Sequence, residues 1–229
     1  MIAIDGPAGS GKSTVAKMLA ARLGYAYVET GAMYRALALL ALETGTDLNN
    51  ATVLADLAAS ADIRFAPHPS GDILLLNRRD VTEAVRTPEV SEASSLVSVH
   101  PQVRRQMVER QRALGGRGGV VMEGRDIGTQ VFPQADLKIF LDASPEVRTE
   151  RRFRDQQVMG QTNMAQVREE IEERDRRDQV REDSPLTPAE DSIRIDSTHF
   201  SVEQVVEQIL HLAQERIVAT HSKRSQQRG

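Results

Sequence analysis

Residues 6–13 read GPAGSGKS and follow a short apolar run, IAID, over 2–5. Every residue type in that octet suits a polyphosphate. Gly6, Gly9 and Gly11 let the backbone curl until successive N–H groups point inward at an oxyanion, and Pro7, Ala8 and Ser10 complete the loop. Lys12 reaches the β- and γ-phosphates as a compact charge. The Ser13 hydroxyl is an oxygen ligand for Mg2+. The helix that opens here, through Thr14, turns its positive end toward the same anion. A β-type run before the octet and a helix-type run after it separate this pattern from an ordinary glycine-rich turn.

Four further sites carry arginine. In TGAMYR, at 30–35, a Thr30 hydroxyl, a helix N-terminus and Arg35 could face one anion, with Tyr34 beside them. In EGRDIG, at 123–128, Arg125 and Asp126 follow an apolar strand, where open α/β sheets bind ligands. Arg151 and Arg152 are adjacent on a helix and point in different directions, one toward a phosphate and the other toward solvent. In ERDRRDQVR, at 173–181, Arg174, Arg177 (or Asp178) and Arg181 share one helix face, and Arg176 lies off it. Taken singly, these sites read equally as a helix cap, an ion pair or a solvated charge run. Together with a phosphate loop they exceed what nucleotide hydrolysis requires. They suit two phosphorylated ligands meeting end to end. An acceptor phosphate is already ionised and needs no strong base, so catalysis would be positioning and charge neutralisation.

The elements that must hold these residues alternate strand and helix, which specifies a parallel sheet with helices on both faces. Strands are expected over 2–5, 25–29, 120–123, 137–141 and 193–196. Helices are expected over 13–23, 32–44, 51–60, 88–99, 101–114, 148–157, 164–182 and 202–219. Three short strands, 62–66, 72–77 and 79–82, form an antiparallel patch inserted in this α/β chain, the first two joined by a Pro-Ser-Gly turn. Residues 115–119 read as a connector, 159–163 as a break, and 221–229 as a polar, disordered tail.

Composition narrows the possibilities. The 229 residues suffice for one α/β domain with insertions. There is no cysteine, which excludes disulfides, thiol chemistry and a Cys-ligated zinc. No apolar stretch spans a bilayer and no signal peptide precedes the first strand, so a cytoplasmic protein without a membrane partner is expected. A net charge of −4 and 3% aromatic residues disfavour a nucleic-acid surface. Only four of the 29 basic residues are lysines. Arginine is the better bidentate ligand for phosphate, and Lys12 is retained where a point charge is wanted.

With these residues in view, the chain resembles the bacterial cytidylate kinases, a branch of the nucleoside monophosphate kinases. The resemblance runs from residue 2 to about 219. It rests on IDGPAGSGKST, TGAMYRALA, RTPEVSEASS, MEGRDIGTQVFPQADLKIFLDAS and EERDRRD with Arg181 after it. It implies a P-loop three-layer α/β fold with a central parallel sheet. The core would comprise 1–30, 101–147 and 183–220, the monophosphate-binding insert 31–100 and a short helical lid 148–182. It also implies Mg2+-ATP on residues 6–14, with Arg151 and Arg152 in the lid. Arg35, Arg125 and Arg181 would clamp the CMP phosphate. Ser95, Arg104 and Asp126 would read cytosine. Arg174 and Asp178 would meet the sugar, with Tyr34 and Thr30 nearby. Lys12, Arg125, Arg174 and Arg181 would act on the transferred group. The expected reaction gives CDP and ADP, with dCMP as a second acceptor, from a monomer.

The base assignment agrees with elementary hydrogen bonding. Asp126 can accept from the cytosine amino group, while Arg104 and Ser95 donate to ring acceptors. Thr30 departs from the serine common in the family but keeps the hydroxyl. Three other readings remain at this point. One is a kinase acting on UMP, AMP or shikimate. Another is a GTPase, for which no N-K-x-D sequence is present. The third is a non-catalytic nucleotide- or RNA-associated protein.

Overall fold

A computed structural model describes residues 1–68, 72–116, 118–157 and 163–226. The apolar runs form five parallel strands: β1 (Ile2–Asp5), β2 (Ala26–Glu29), β6 (Val120–Gly124), β7 (Leu137–Asp142) and β8 (Ile193–Asp196). Their spatial order is β2-β6-β1-β7-β8, with β1 paired in parallel to both β6 and β7. Alternation along β1 assigns its faces. Ile2 and Ile4 pack with α1 (Lys12–Leu23) and α8 (Val202–Gln226), whereas Ala3 turns to the opposite face with Val108 of α5 (Pro101–Gly115). Leu19, Ile4 and Leu141 are fully buried there, each contributing about 1.5–3 kcal/mol of hydrophobic stabilisation. The result is the helix–sheet–helix layering expected from the sequence.

A second core belongs to the insert. It joins α2 (Thr30–Glu43), α3 (Ala51–Ser60), α4 (Pro88–Val97) and the antiparallel sheet β3 (Ile63–Ala66), β4 (Ile73–Leu76) and β5 (Arg79–Asp80). The helix starts follow sequence chemistry. Asn50 Oδ1 accepts from Val53 N at 3.2 Å, Thr87 Oγ1 accepts from Val90 N at 3.3 Å, and Pro88 and Pro101 occupy first helical positions. The remaining helices are α6 (Pro145–Gln157) and α7 (Met164–Val180).

Several boundaries differ from expectation. Thr30 and Gly31 are already the first turn of α2. α6 begins at Pro145, not residue 148, because proline at the start costs no hydrogen bond there. α7 ends at Val180, and α8 runs to Gln226, past the expected end at 219 and into the tail expected to be disordered. A π-helical turn, Ile127–Val131, gives no sequence signal. Most of the expected break at 159–163, and the whole of the Pro-Ser-Gly turn, lie outside the described residues. No described helix is long and apolar enough to cross a membrane.

One buried carboxylate ties the sheet edge together. Asp5 ends β1 immediately before the phosphate loop, and its two oxygens accept from Ile127 N at 2.8 Å and Gly128 N at 2.7 Å. Burial pushes its carboxyl up to about 7, against those two backbone bonds, with Asp126 adding to the rise and Lys12 opposing it. The folded state therefore holds the proton more tightly than the unfolded chain, whose value is near 3.8. The favourable contribution is complete below that value and is lost as pH rises toward about 7. Unfolding free energies from urea melts should show this decline between pH 4 and 7, on the order of 1 kcal/mol per pH unit, and level off above it, and Asp5→Asn should abolish it.

Candidate active site

The carboxyl ends of the strands open into one cleft of about 590 Å3. It is lined by Glu29 at the end of β2, Glu123 in β6 and Arg125 just after it, the phosphate loop after β1, and Ser197 after β8. This is the edge at which parallel α/β sheets bind ligands.

The loop's glycines answer two geometric demands. Gly11 has φ 90° as it leads into α1, a left-handed conformation that a side chain would strain. At Gly6 a Cβ would lie 2.0 Å from Leu141 O, so the loop can leave β1 only without one. Lys12 folds back, donating from Nζ to Pro7 O at 2.6 Å and to Ser10 Oγ at 3.3 Å. Burial, reinforced by Arg125, pulls its ammonium below the ordinary lysine value. Ser13 Oγ donates to Glu123 Oε1 at 2.6 Å, and Tyr27 Oη reaches the same oxygen at 3.4 Å. Burial raises the Glu123 carboxyl while the nearby Lys12 opposes that rise.

On the other side of the cleft, arginines and carboxylates interleave. Arg35 of α2 bonds to Glu29, and Arg104 of α5 bonds to Asp126. Arg125 Nε donates to Asp178 Oδ2 at 2.8 Å. Arg181 donates to Ser184 O at 2.6 Å and lies 3.5 Å from Asp178 Oδ1 and 4.0 Å from Asp126 Oδ1. Burial works against the Asp178 carboxylate, yet Arg125, Arg174 and Arg181 hold it below the usual range. Arg174 is half-buried, and desolvation of its guanidinium, together with Arg125, draws it down to about 9, so it stays protonated at neutral pH. The guanidinium of Arg104 lies 5.7 Å from the Tyr34 ring centre, within cation–π range. Thr30 spends its hydroxyl proton on Glu123 O at 2.8 Å.

The polar accounting of this region is incomplete in a specific way. Six buried side-chain atoms among the described residues lack a hydrogen-bond partner, and five belong to the cleft: Tyr34 Oη, Arg35 Nε, Arg104 Nε, Arg174 Nε and Arg181 Nη2. Buried donors are rarely left this way, and these five side chains share the lining of one cleft.

The structure thus brings most of the expected residues together. Three do not line the cleft. Gly6 and Pro7 shape the loop from behind, and Ser95 is buried, accepting from Arg177 Nη1 at 3.0 Å. Ser94 and Ser98 line the cleft instead. Arg151 and Arg152 diverge as expected, each half-buried and each bonded to protein. Arg151 donates to Ser10 O at 3.1 Å and Ser197 O at 2.9 Å, whereas Arg152 reaches Ser91 Oγ at 3.1 Å, beside Arg174. Arg152 therefore sits with the arginines opposite the loop. Glu29, Glu123 and Ser91 were missed. Glu123 was findable, since it ends the same apolar strand that singled out Arg125. Glu29 and Ser91 carried no such signal.

A family model described as cytidylate kinase matches residues 2–215. The chain is 51% identical over 217 residues to the cytidylate kinase of Geobacillus kaustophilus (strain HTA426), spanning 94% of this chain and 97% of that one. It is 50% identical over 220 residues to the cytidylate kinase of Solibacter usitatus (strain Ellin6076), spanning 95% and 93%. A crystal structure of an uncharacterized protein from Eubacterium ventriosum ATCC 27560 shares the fold over 93% of this chain and 97% of its own, at 12% identity and a TM-score of 0.50. A phosphate loop faces an arginine-lined recess across one cleft, and half the residues agree with such relatives over nearly full length. On these grounds the chain belongs to the cytidylate kinase family.

Proposed function

We propose that residues 6–14 hold ATP and that the recess bounded by α2, α4, α5 and α7 holds CMP, the two meeting between Lys12 and Arg125. The observation that supports this reading is that Arg35, Arg104, Arg174, Arg181 and Tyr34, each with a buried donor that lacks a protein partner, all line one recess beside the loop. An oxygen of the CMP phosphate attacks the γ-phosphorus. The bond from that phosphorus to the β,γ-bridging oxygen breaks, leaving CDP and ADP. Lys12 and the arginines offset the charge that repels the two ends, and α6 and α7 keep water from the γ-phosphate. Within the recess, Arg104 and Asp126 read the cytosine edge, with Ser95, whose hydroxyl accepts from Arg177 and keeps its own proton to donate, as the third base-reading residue. The phosphate clamp of Arg35, Arg125 and Arg181 leaves Arg174 and Asp178 for the sugar, and dCMP is a second acceptor.

Mg2+ fits the residues present. Ser13 Oγ and the Glu123 carboxylate lie 2.6 Å apart beside Lys12, an all-oxygen pair. No group of three or more His, Cys, Asp or Glu among the described residues could hold a metal alone, so the cation would be shared with the nucleotide phosphates. When bound, it supplies charge neutralisation on the β- and γ-oxygens. Ser13 and Glu123 would hold it.

Three measurements test this reading. Lys12→Ala should reduce kcat by roughly 100-fold or more while circular dichroism and Tm stay near the parent's, since it removes a charge at the transferred group. Arg181→Ala should raise KM for CMP at least tenfold and KM for ATP less than threefold. In an acceptor panel with ATP, CMP should exceed UMP in kcat/KM by roughly 10-fold or more. A uracil carbonyl facing Asp126 forfeits a bond and leaves buried polar atoms unmatched, at about 1–3 kcal/mol.

A further inference from the structure

The outer side of the phosphate loop is held by side chains from α6 and α7. Asp175, buried on α7, accepts from Ala8 N at 3.0 Å through Oδ1 and bonds to Arg148 Nη1 through Oδ2. The same Arg148 nitrogen donates to Ala8 O at 3.1 Å, and its Nε reaches Ala143 O at 3.2 Å. One ion pair thus grips both the N–H and the C=O of Ala8. The Ala8 methyl sits in a separate small core with Val167 and Ile171 of α7, and Phe153 of α6 packs against it. The loop also passes so close to α6 that a Cβ on Gly9 would lie 2.7 Å from Arg148 O. Arg148 and Asp175 lie outside the cleft lining.

Asp175 shares α7 with Arg174 and Asp178, one residue before it and three after it. Those two face the opposite recess, where Asp178 bonds to Arg125. A ligand that fixes Arg174 and Asp178 fixes α7, and α7 grips Ala8. We infer that Asp175, with Arg148, is a positioning residue that couples the two nucleotide sites, so that CMP on α7 orders the phosphate loop for ATP. The inference rests on the two-site assignment above. Linkage makes the coupling reciprocal, with ATP tightening CMP by the same factor. The physical source is prepaid ordering. A loop already clamped loses less freedom when phosphate arrives.

The test is calorimetric titration of the full chain with a β,γ-imido ATP analogue, at zero and at saturating CMP. In the parent, CMP should tighten the analogue at least about fivefold. In Asp175→Asn that factor should fall below about twofold, while CMP alone binds within about twofold of the parent. Arg148→Lys, which keeps the charge but loses the fork to Ala8 O, should lose the coupling too. Retention of the full factor in both variants, or a parent that binds both ligands independently, overturns the inference. A parent that binds neither nucleotide instead refutes the two-site assignment. If neither variant folds, hydrogen exchange on the parent decides. CMP alone must slow exchange of amides in residues 6–13, and unchanged exchange overturns the coupling.

Discussion

Gathering several cations into one buried cleft is the constraint on which the rest of this structure depends. An unpaired charge in a low-dielectric interior is costly, and neighbouring like charges add to the cost. Here Lys12, Arg125 and Arg174 are close enough that each guanidinium depresses its neighbours' affinity for the proton. The fold answers with a carboxylate beside nearly every cation: Glu29 for Arg35, Asp126 for Arg104, and Asp178 for Arg125 and Arg181. Such pairs contribute little net stability. Their effect is to fix where each guanidinium points before a phosphate arrives.

That arrangement explains why the carboxylates come from so many elements. Glu29 ends β2, Glu123 is the penultimate residue of β6, Asp126 opens the π-helical turn, and Asp178 lies on α7. Arg35, Arg104 and Arg125 are therefore paired across element boundaries, and these pairs tie α2 to β2, α5 to the π-helical turn and the end of β6 to α7. Asp5 performs the same office with backbone donors, anchoring the turn that carries Asp126 to the strand that feeds the phosphate loop.

A phosphate acceptor suits this design. It brings its own negative charge, so the arginines can exchange carboxylate partners for phosphate oxygens without passing through an unpaired state. The donors left without partners on Arg35, Arg104, Arg174 and Arg181 show that the internal carboxylates only partly satisfy the cluster. What remains is directed capacity for a polyanion, in a geometry that planar guanidinium forks match well.

Local sequence determined much of this protein. The phosphate loop was legible because glycine, lysine and hydroxyl at fixed spacing meet demands that few other sequences meet. The strands were legible because buried parallel strands read as unbroken apolar runs, and α3 because an Asn cap and an apolar stripe agree. Family resemblance supplied the base- and phosphate-reading roles, which no periodicity contained. Only the tertiary structure decided who partners whom. It bonded Arg152 to Ser91 of α4 and Ser95 to Arg177 of α7. It also turned Asp175, one charge within a run that reads as a solvated face, into the grip on Ala8. The reason is physical. Spacing along a helix specifies direction, but the surroundings in that direction are set by elements far away in the chain.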